Sequence, residues 1–590
     1  MGTAPDPPTT LPVQPEESVL LTSSAARTSS AVLKLVFQEE RFFLILSVFI
    51  GVFAGLAVVC FRFAIDWCRI YLLGSAAVVS PLRLLLAPTI AGLVIAVLVI
   101  HVFPLVRGSG VNQTKAALYI YNGYIPLRTA VGKFITAALA IGSGQSLGPE
   151  DPSLQIGASL ASVLGRRMRL SRERMRLIAP VGAAAGLAAA FNAPISAVLF
   201  VIEEVIGRWS AGILGSVVLS AVSSVVVMRW FLGSEPLFRI PVVQLHRPSE
   251  LIAYFILGIV GALASVAFAS GVTTLRPRLR DLPEWTQYLQ PPLAGLLIGF
   301  IGLLGAPQVM GAGYEYIDQA MHGQFTWQFL GILAGLKIIT TLLSFVSGTP
   351  GGMFAPTLFI GAMLGAAVGG VEHALLPSLN WSPGTYALVG MGVLFAGFLR
   401  APMTSVFMAL EVSGNYSIIV PVLVANTFAY LICRGLQPSA IFDVLSRQDG
   451  VDLPSMEEQR EESILRVEDA MEPPPAVVPD DHDLLAKAAQ VVDEAPGNVC
   501  LIRLNPVGWG AITKQEIASL MEQGKGGLSL GSRLASGPIP YLHPDHSLDM
   551  ALRYIDRWPV LPVVSRADFS RLEGVITRQK VLKKYGHFTS

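Results

Sequence analysis

Residues 143–165 read SGQSLGPEDPSLQIGASLASVLG, and residues 347–369 read SGTPGGMFAPTLFIGAMLGAAVG. At a constant offset of 204, Ser143, Gly144, Gly148, Pro152, Leu154, Ile156, Gly157, Ala158, Leu160 and Gly165 all recur. Where the second copy has Met353-Phe354-Ala355, the first has Pro149-Glu150-Asp151. A duplicated apolar segment interrupted by Gly and Pro is the sequence mark of a binding site built from broken membrane helices. A carboxylate placed in such a segment is costly without a partner or a job, and so marks function.

The surroundings fit a membrane protein. Of 590 residues, 52% are hydrophobic and 14% charged, and the mean hydropathy is +0.58. Residues 177–202 and 209–228 carry no charge, and 353–399 carry only Glu372. Each run is long enough to cross a bilayer, which takes about 20 apolar residues. A net charge of +1 gives no reason to expect a nucleic acid partner. The cysteines, Cys60, Cys68, Cys433 and Cys500, show no metal or redox spacing, and no metal site is expected at His543 and His546.

The repeat extends outward from the opening stretch. Lys133 matches Lys337, Gly108-Ser109-Gly110 matches Gly311-Ala312-Gly313, and Ala193-Pro194 with Glu203 matches Ala401-Pro402 with Glu411. Landmarks in the same order at near-constant spacing define an internal repeat, with halves at about 36–235 and 250–445. By itself the repeat leaves open whether the halves are parallel or inverted. The segment RRMRLSRERMR, from Arg166 to Arg176, is expected to be cytoplasmic because basic loops stay inside. Before the membrane domain (36–445), a flexible N-terminal tail is expected over 1–35, rich in Pro, Ser and Thr. After it come a polar linker (446–465) and a soluble domain (466–590). That domain is duplicated too: Gly510-Ala-Ile-Thr-Lys-Gln515 returns as Gly574-Val-Ile-Thr-Arg-Gln579, implying two small α/β modules.

Three glycine-rich turns lead into apolar helices, around Ser109, Glu150 and Phe354. Helix starts leave N–H groups unpaired, and with the positive end of the helix dipole they form an anion site without a full positive charge. Glu150, in the first turn of its helix, can occupy that anion site when ionised and leave it when protonated, making it both gate and proton acceptor. Glu203 has the repeat partner Glu411, whereas Glu204 is matched by Val412. The first pair is therefore read as structural and Glu204 as specialised, a second stop for a proton.

GSGVN (108–112), LGPEDP (147–152), AAFNAP (189–194) with Glu203-Glu204, and GGMFAP (351–356) resemble the signature regions of the CLC chloride channels and transporters. The tail resembles the paired CBS domains that many members carry. The resemblance implies an all-α polytopic membrane domain, an inverted repeat of short tilted and broken helices, joined to a soluble α/β tandem CBS domain. It also implies a homodimer in the bilayer and chloride as substrate. Carried over by motif, Ser109 and Gly110 would contact the anion, the backbone of Met353 and Phe354 would donate to it, Glu150 would gate, and Glu204 would relay protons. Chloride/proton antiport is the resulting expectation, with a gated passive anion channel, of the kind called voltage-gated, as the alternative. An enzyme is not expected, since no membrane His or Cys is paired for catalysis. Without a recognisable targeting segment, a bacterial inner membrane is expected, with the CBS domains cytoplasmic.

The chain also departs from the family pattern. Pro149 and Asp151 stand where G-R-E-G-P has Arg and Gly, and Asn112 replaces a proline. Phe442, in SAIFD, takes the place of a tyrosine whose hydroxyl contacts the anion. No cofactor is expected in the membrane domain. In the CBS domains the resemblance implies an adenine nucleotide near Thr513, Glu516 and Thr577, with a purely structural dimer contact as the other reading.

Overall fold

The computed structural model describes residues 17–74, 80–207, 211–238, 250–375, 382–451, 453, 465–504, 508–533 and 539–586. The chain divides into two compact units, Met1–Leu453 and Pro454–Ser590. Among the described residues, eight helices are long and apolar enough to cross a membrane. The first unit is helical throughout.

Its first half contains α1 (Glu17–Leu72), α2 (Pro81–Val97), α3 (Gly110–Tyr119), α4 (Leu127–Gly142), α5 (Glu150–Arg167), α6 (Arg172–Phe191), α7 (Pro194–Phe200) and α8 (Ala211–Leu232). The second half repeats the order with α9 (Glu250–Arg280), α10 (Gln290–Leu303), α11 (Tyr314–Met321), α12 (Trp327–Val346), α13 (Phe354–Leu375), α14 (Pro383–Phe398), α15 (Pro402–Ser413) and α16 (Ile419–Leu436). One further helix, α17 (Ile441–Gln448), closes the unit.

Contacts between equivalent residues decide the relation of the halves. Gly148 and Gly352 exchange two backbone hydrogen bonds of 2.8 and 2.9 Å, as an antiparallel bridge. The equivalent helices α2 and α10 pack together. A Cβ added to Gly92 would lie 2.6 Å from the Pro291 carbonyl oxygen, one on Gly295 2.2 Å from that of Pro88, and one on Gly299 2.4 Å from that of Leu84. Contacts thus climb α2 as they descend α10, so two corresponding helices run antiparallel. The repeat is inverted. Small residues permit this approach, which apolar lipid alone would not drive.

The same symmetry governs the buried polar groups. Lys133 donates to the carbonyls of Val106 and Gly108, and Lys337 to those of Val309 and Gly311. Each lysine pins the loop before its own half's short helix. Glu203 accepts from the N–H groups of Met403 and Thr404 at the start of α15. Glu411 in turn accepts from Ile195 and Ser196 at the start of α7. Each carboxylate caps the other half's helix, where the dipole favours negative charge. The two copies differ immediately after. Copy one passes from α7 into a π-helical turn, Val201–Ile206, while copy two continues as regular α-helix through Ser413.

One expectation is corrected. Residues 17–35, expected as flexible tail, belong to α1; residues 1–16 of that tail lie outside the described residues. The physical reason is that Pro15 is the last proline before position 81 and no glycine intervenes until Gly51. A helix already nucleated by an apolar span then extends at little cost through Ala, Leu and Ser.

The second unit holds two hairpin modules. Strands β1 (Val499–Arg503) and β2 (Trp509–Thr513) pair antiparallel, as do β3 (Val560–Val564) and β4 (Leu572–Thr577). Helices α18 (Leu485–Val491) and α19 (Lys514–Glu522) accompany the first hairpin, α20 (Leu548–Ile555) and α21 (Arg578–Gly586) the second. Buried Trp509 joins the modules: its side chain packs in one cluster with Val560, Val564 and Val575, and its indole N–H donates to the Phe569 carbonyl. Of the expected linker, residues 452 and 454–464 lie outside the described ones.

Candidate functional site

The glycine-rich turns expected from sequence open α3, α5 and α13, and the structure brings them together through side chains. Glu150, the first residue of α5, is fully buried. Its Oε2 accepts from the Ala355 N–H in the first turn of α13, at 3.2 Å. The donor thus comes from the other repeat. Beside Glu150, Asp151 turns to α3: it accepts from the Ser109 hydroxyl and from the Gly110 and Val111 N–H groups. Phe354 centres an aromatic cluster with Phe191, Phe200, Phe395 and Phe442 at centroid distances of 5.1 to 6.2 Å. Met353 is buried next to it, and its carbonyl accepts from Thr357.

The departures from the family pattern have structural uses. Asn112, in place of a proline, donates to the Phe442 carbonyl at 2.9 Å. That bond ties α3 to the start of α17, and sets the Phe442 ring against Phe354. The aromatic ring is present; the hydroxyl is not.

Glu204 lies one helix face further on, in the π-helical turn. Its Oε1 accepts from Lys115 Nζ at 2.6 Å, and the same ammonium lies 3.4 Å from Asp443 Oδ1. Lys115 is 1% exposed and Glu204 2%. A single ammonium between two buried carboxylates leaves the cluster one charge negative when all three are ionised. Lys115 is also on α3, so one ten-residue helix carries Gly110, Asn112 and Lys115, with Ser109 as its N-cap.

Lys115, Asp443 and the bonding of Asp151 were not singled out in the sequence. Lys115 stands six residues after Ser109 on a helix, a spacing that by itself suits any surface lysine. Asp443 directly follows Phe442, and only the fold shows it facing α3. The signal available was the charge itself: an unmatched lysine in a segment otherwise nearly free of charge.

Two cavities approach this centre. One, of about 520 Å³, is lined by Ser109, Asn112, Gln113, Tyr124 and Asp449. The other, of about 220 Å³, is lined by Arg62, Asp66, Pro149 and Gly311. Ser109 and Pro149 thus line different cavities, and Glu150 and Asp151 follow Pro149 directly in the chain. Near the Ser109 side, Arg276 and Arg280 share Asp449, and Arg107 borders the same cavity.

In the second unit, Thr513 and Glu516 bond each other as a capping box at the start of α19. Thr577 donates to Glu472. Each proposed nucleotide contact therefore already has a partner within its own module.

Two inverted halves with broken helices and buried carboxylates where they meet form the kind of layout in which membrane transport sites are built. The profile of the family described as "Voltage gated chloride channel" matches residues 91–434, and the chain belongs to that family. A CBS domain profile matches residues 532–587, in the second hairpin module. A "Putative chloride channel protein ClcB-like" from Ralstonia nicotianae is 31% identical over 69% of this chain and 97% of its own length. An "H(+)/Cl(-) exchange transporter ClcA" from Salmonella paratyphi B is 32% identical over 68% of this chain and 87% of its own. Among solved structures, that of a slow cyanobacterial Cl-/H+ antiporter matches with a TM-score of 0.64 at 27% identity, covering 69% of this chain and 97% of that one. A eukaryotic CLC transporter, at 19% identity and a TM-score of 0.60, shares the fold over 91% of this chain.

Proposed function

We propose that the protein exchanges chloride for protons across a membrane. The observation that carries this reading is the buried Glu150 carboxylate, held by a helix-start N–H of the opposite repeat and directly following Pro149, which lines one of the two cavities. Ionised, Glu150 takes a helix-start N–H that an anion would use; protonated, it gives up that attraction and the anion can enter. The proton leaves toward the second cluster, where Glu204 shares Lys115 with Asp443. That cluster changes between one net negative charge and none, and so accepts and returns one proton at a time. The named activities of the two exchanger relatives agree with this reading.

The Ser109 cavity is taken as cytoplasmic. Its lining residue Tyr124 stacks under the Arg166 guanidinium at 4.3 Å, at the edge of the arginine-rich segment that the positive-inside rule keeps inside. The arginines near that mouth would concentrate anions there. A homodimer in a bacterial inner membrane completes the reading. In the CBS domains, an adenine nucleotide near Thr513, Glu516 and Thr577 requires their present hydrogen bonds to open. Calorimetry with ATP, ADP and AMP on the full-length protein tests it, and absence of heat removes it.

The test of the main reading is made with purified protein in chloride-loaded liposomes, following chloride and pH together. Exchange predicts that an outward chloride gradient drives protons inward against their own gradient. Chloride release with no proton movement would make the protein a passive channel.

A further inference from the structure

Three donors converge on one carboxylate at the start of α3. The Ser109 hydroxyl donates to Asp151 Oδ1 at 2.9 Å, the Gly110 N–H to Oδ2 at 2.9 Å, and the Val111 N–H to Oδ1 at 3.2 Å. Lys133 Nζ lies 3.9 Å from Oδ2. Asp151 itself is buried and comes from α5, 40 residues beyond Val111 in the chain. Ser109 already caps α3 by accepting from the Val111 N–H at 3.2 Å, so the helix has a cap of its own.

Ser109 and Gly110 are the groups to which the anion contact is assigned, and Ser109 borders the inner cavity. A carboxylate and a halide need the same thing from such a turn: N–H and O–H donors backed by the positive end of a helix. Both cannot have it. In the second repeat the position equivalent to Asp151 is Ala355, which has no group to place there and instead lends its N–H to Glu150. The two adjacent acids therefore occupy different anion positions: Glu150 on α13 of the other half, and Asp151 on α3 of its own half.

We propose that Asp151 is a second gate in series with Glu150, an internal carboxylate that holds the Ser109 donors until a transported anion displaces it. This rests on the transport reading above, and it adds the residue that sets anion affinity at the inner position. The carboxylate is placed for this by Gly352, where an added Cβ would come within 2.8 Å of Asp151 Cβ. Any side chain at Gly352 would push Asp151 out of reach of α3. Displacement by an anion needs no bond to form or break.

The test compares full-length wild type, Asp151→Gly and Asp151→Asn, with chloride as the probe. Chloride binding is titrated calorimetrically in detergent, and chloride efflux is measured from liposomes. A gate predicts that both variants bind chloride at least 10-fold more tightly and release it several-fold faster, and that adding Ser109→Ala reverses the gain. An ordinary structural cap predicts the opposite: a lower melting temperature and no gain in chloride affinity, which would overturn the proposal. Should Asp151→Gly fail to fold, Asp151→Asn, equal in shape but uncharged, decides by the same titration. If neither wild type nor variant moves chloride, the transport reading falls and the gate falls with it, and tighter binding by Asp151→Gly then marks Asp151 only as an internal competitor for the anion position. If wild type exchanges chloride for protons and neither variant gains affinity, the gate falls and the transport reading stands.

Discussion

Gly148 and Gly352 exchange hydrogen bonds as equals, but the residues that follow them do not. After Gly352 come Met353, Phe354 and Ala355, which offer backbone N–H groups and an aromatic ring. After Gly148 come Pro149, Glu150 and Asp151, which offer two carboxylates. A second asymmetry lies at the end of each half. Glu203 and Glu411 cap each other's helices reciprocally, while Glu204 has Val412 as its counterpart and pairs with Lys115. The matched residues hold the two halves together. The unmatched acids Glu150, Asp151 and Glu204 all come from the first copy; Glu150 bonds the start of α13, Asp151 the start of α3, and Glu204 the unmatched Lys115 on α3. Symmetry builds the frame, and broken symmetry supplies the ionisable groups.

The sharpest way to break this comparison is to make the first copy resemble the second. Replacing Glu150 with Gln keeps the shape but removes the ionisable group. Proton flux should fall by at least about 100-fold, the scale on which a positioned proton-transfer group acts, while chloride flux persists. Simultaneous chloride and pH recording on proteoliposomes measures both. Pumping that survives in E150Q would place the gate elsewhere.

A substitution of the second cluster tests the unmatched pair as a unit. Lys115→Met keeps the stem but leaves two buried carboxylates without their ammonium. Removing one partner from a buried pair costs about 3–5 kcal/mol, so the unfolding midpoint should drop markedly. Adding Glu204→Gln should restore part of it, because fewer charges then stand uncompensated. Thermal unfolding followed by size-exclusion chromatography reads the series. Equal midpoints for wild type and K115M would show that the cluster is not held by that ion pair.

Glu411→Gln tests the matched side and should have the smallest effect. The carboxylate loses its charge at the start of α7, a change of about 1–3 kcal/mol for bonds to a charged group. Stability should fall by that amount, and the ratio of chloride to protons should stay as in wild type. A changed ratio would mean that the frame and the ionisable groups are not separable in this way.

Much of this was legible in the sequence because repeats leave a literal record. Offsets near 204 identified both copies, and the unmatched Glu150 and Glu204 stood out against Phe354 and Val412. The orientation of the halves was not legible from the repeat alone. It depends on which residues of α2 face α10, and only the opposed contacts of Gly92 and Gly295 reveal it. The partners of the acids were hidden for the same reason. Lys115 and Glu204 are 89 residues apart, and Lys115 and Asp443 are 328 apart; no local pattern links them. Asp151 was visible as a charge next to Glu150, but the direction of its side chain toward Ser109 follows from the packing of α3 against α5. The helical character of residues 17–35 was missed because composition pointed to a tail, whereas the adjoining apolar helix extends through it.

The most direct test sets two neighbouring residues side by side, Glu203→Gln and Glu204→Gln, each in proteoliposomes with chloride and proton flux recorded together. They are adjacent in sequence, alike in charge and both buried; the second repeat matches Glu203, which caps α15, and does not match Glu204, which pairs with Lys115. The expected result is that E203Q keeps the wild-type ratio of protons to chloride at somewhat reduced stability, while E204Q carries chloride with almost no protons. Equal behaviour of the two variants would contradict the division between a symmetric frame and an asymmetric proton path.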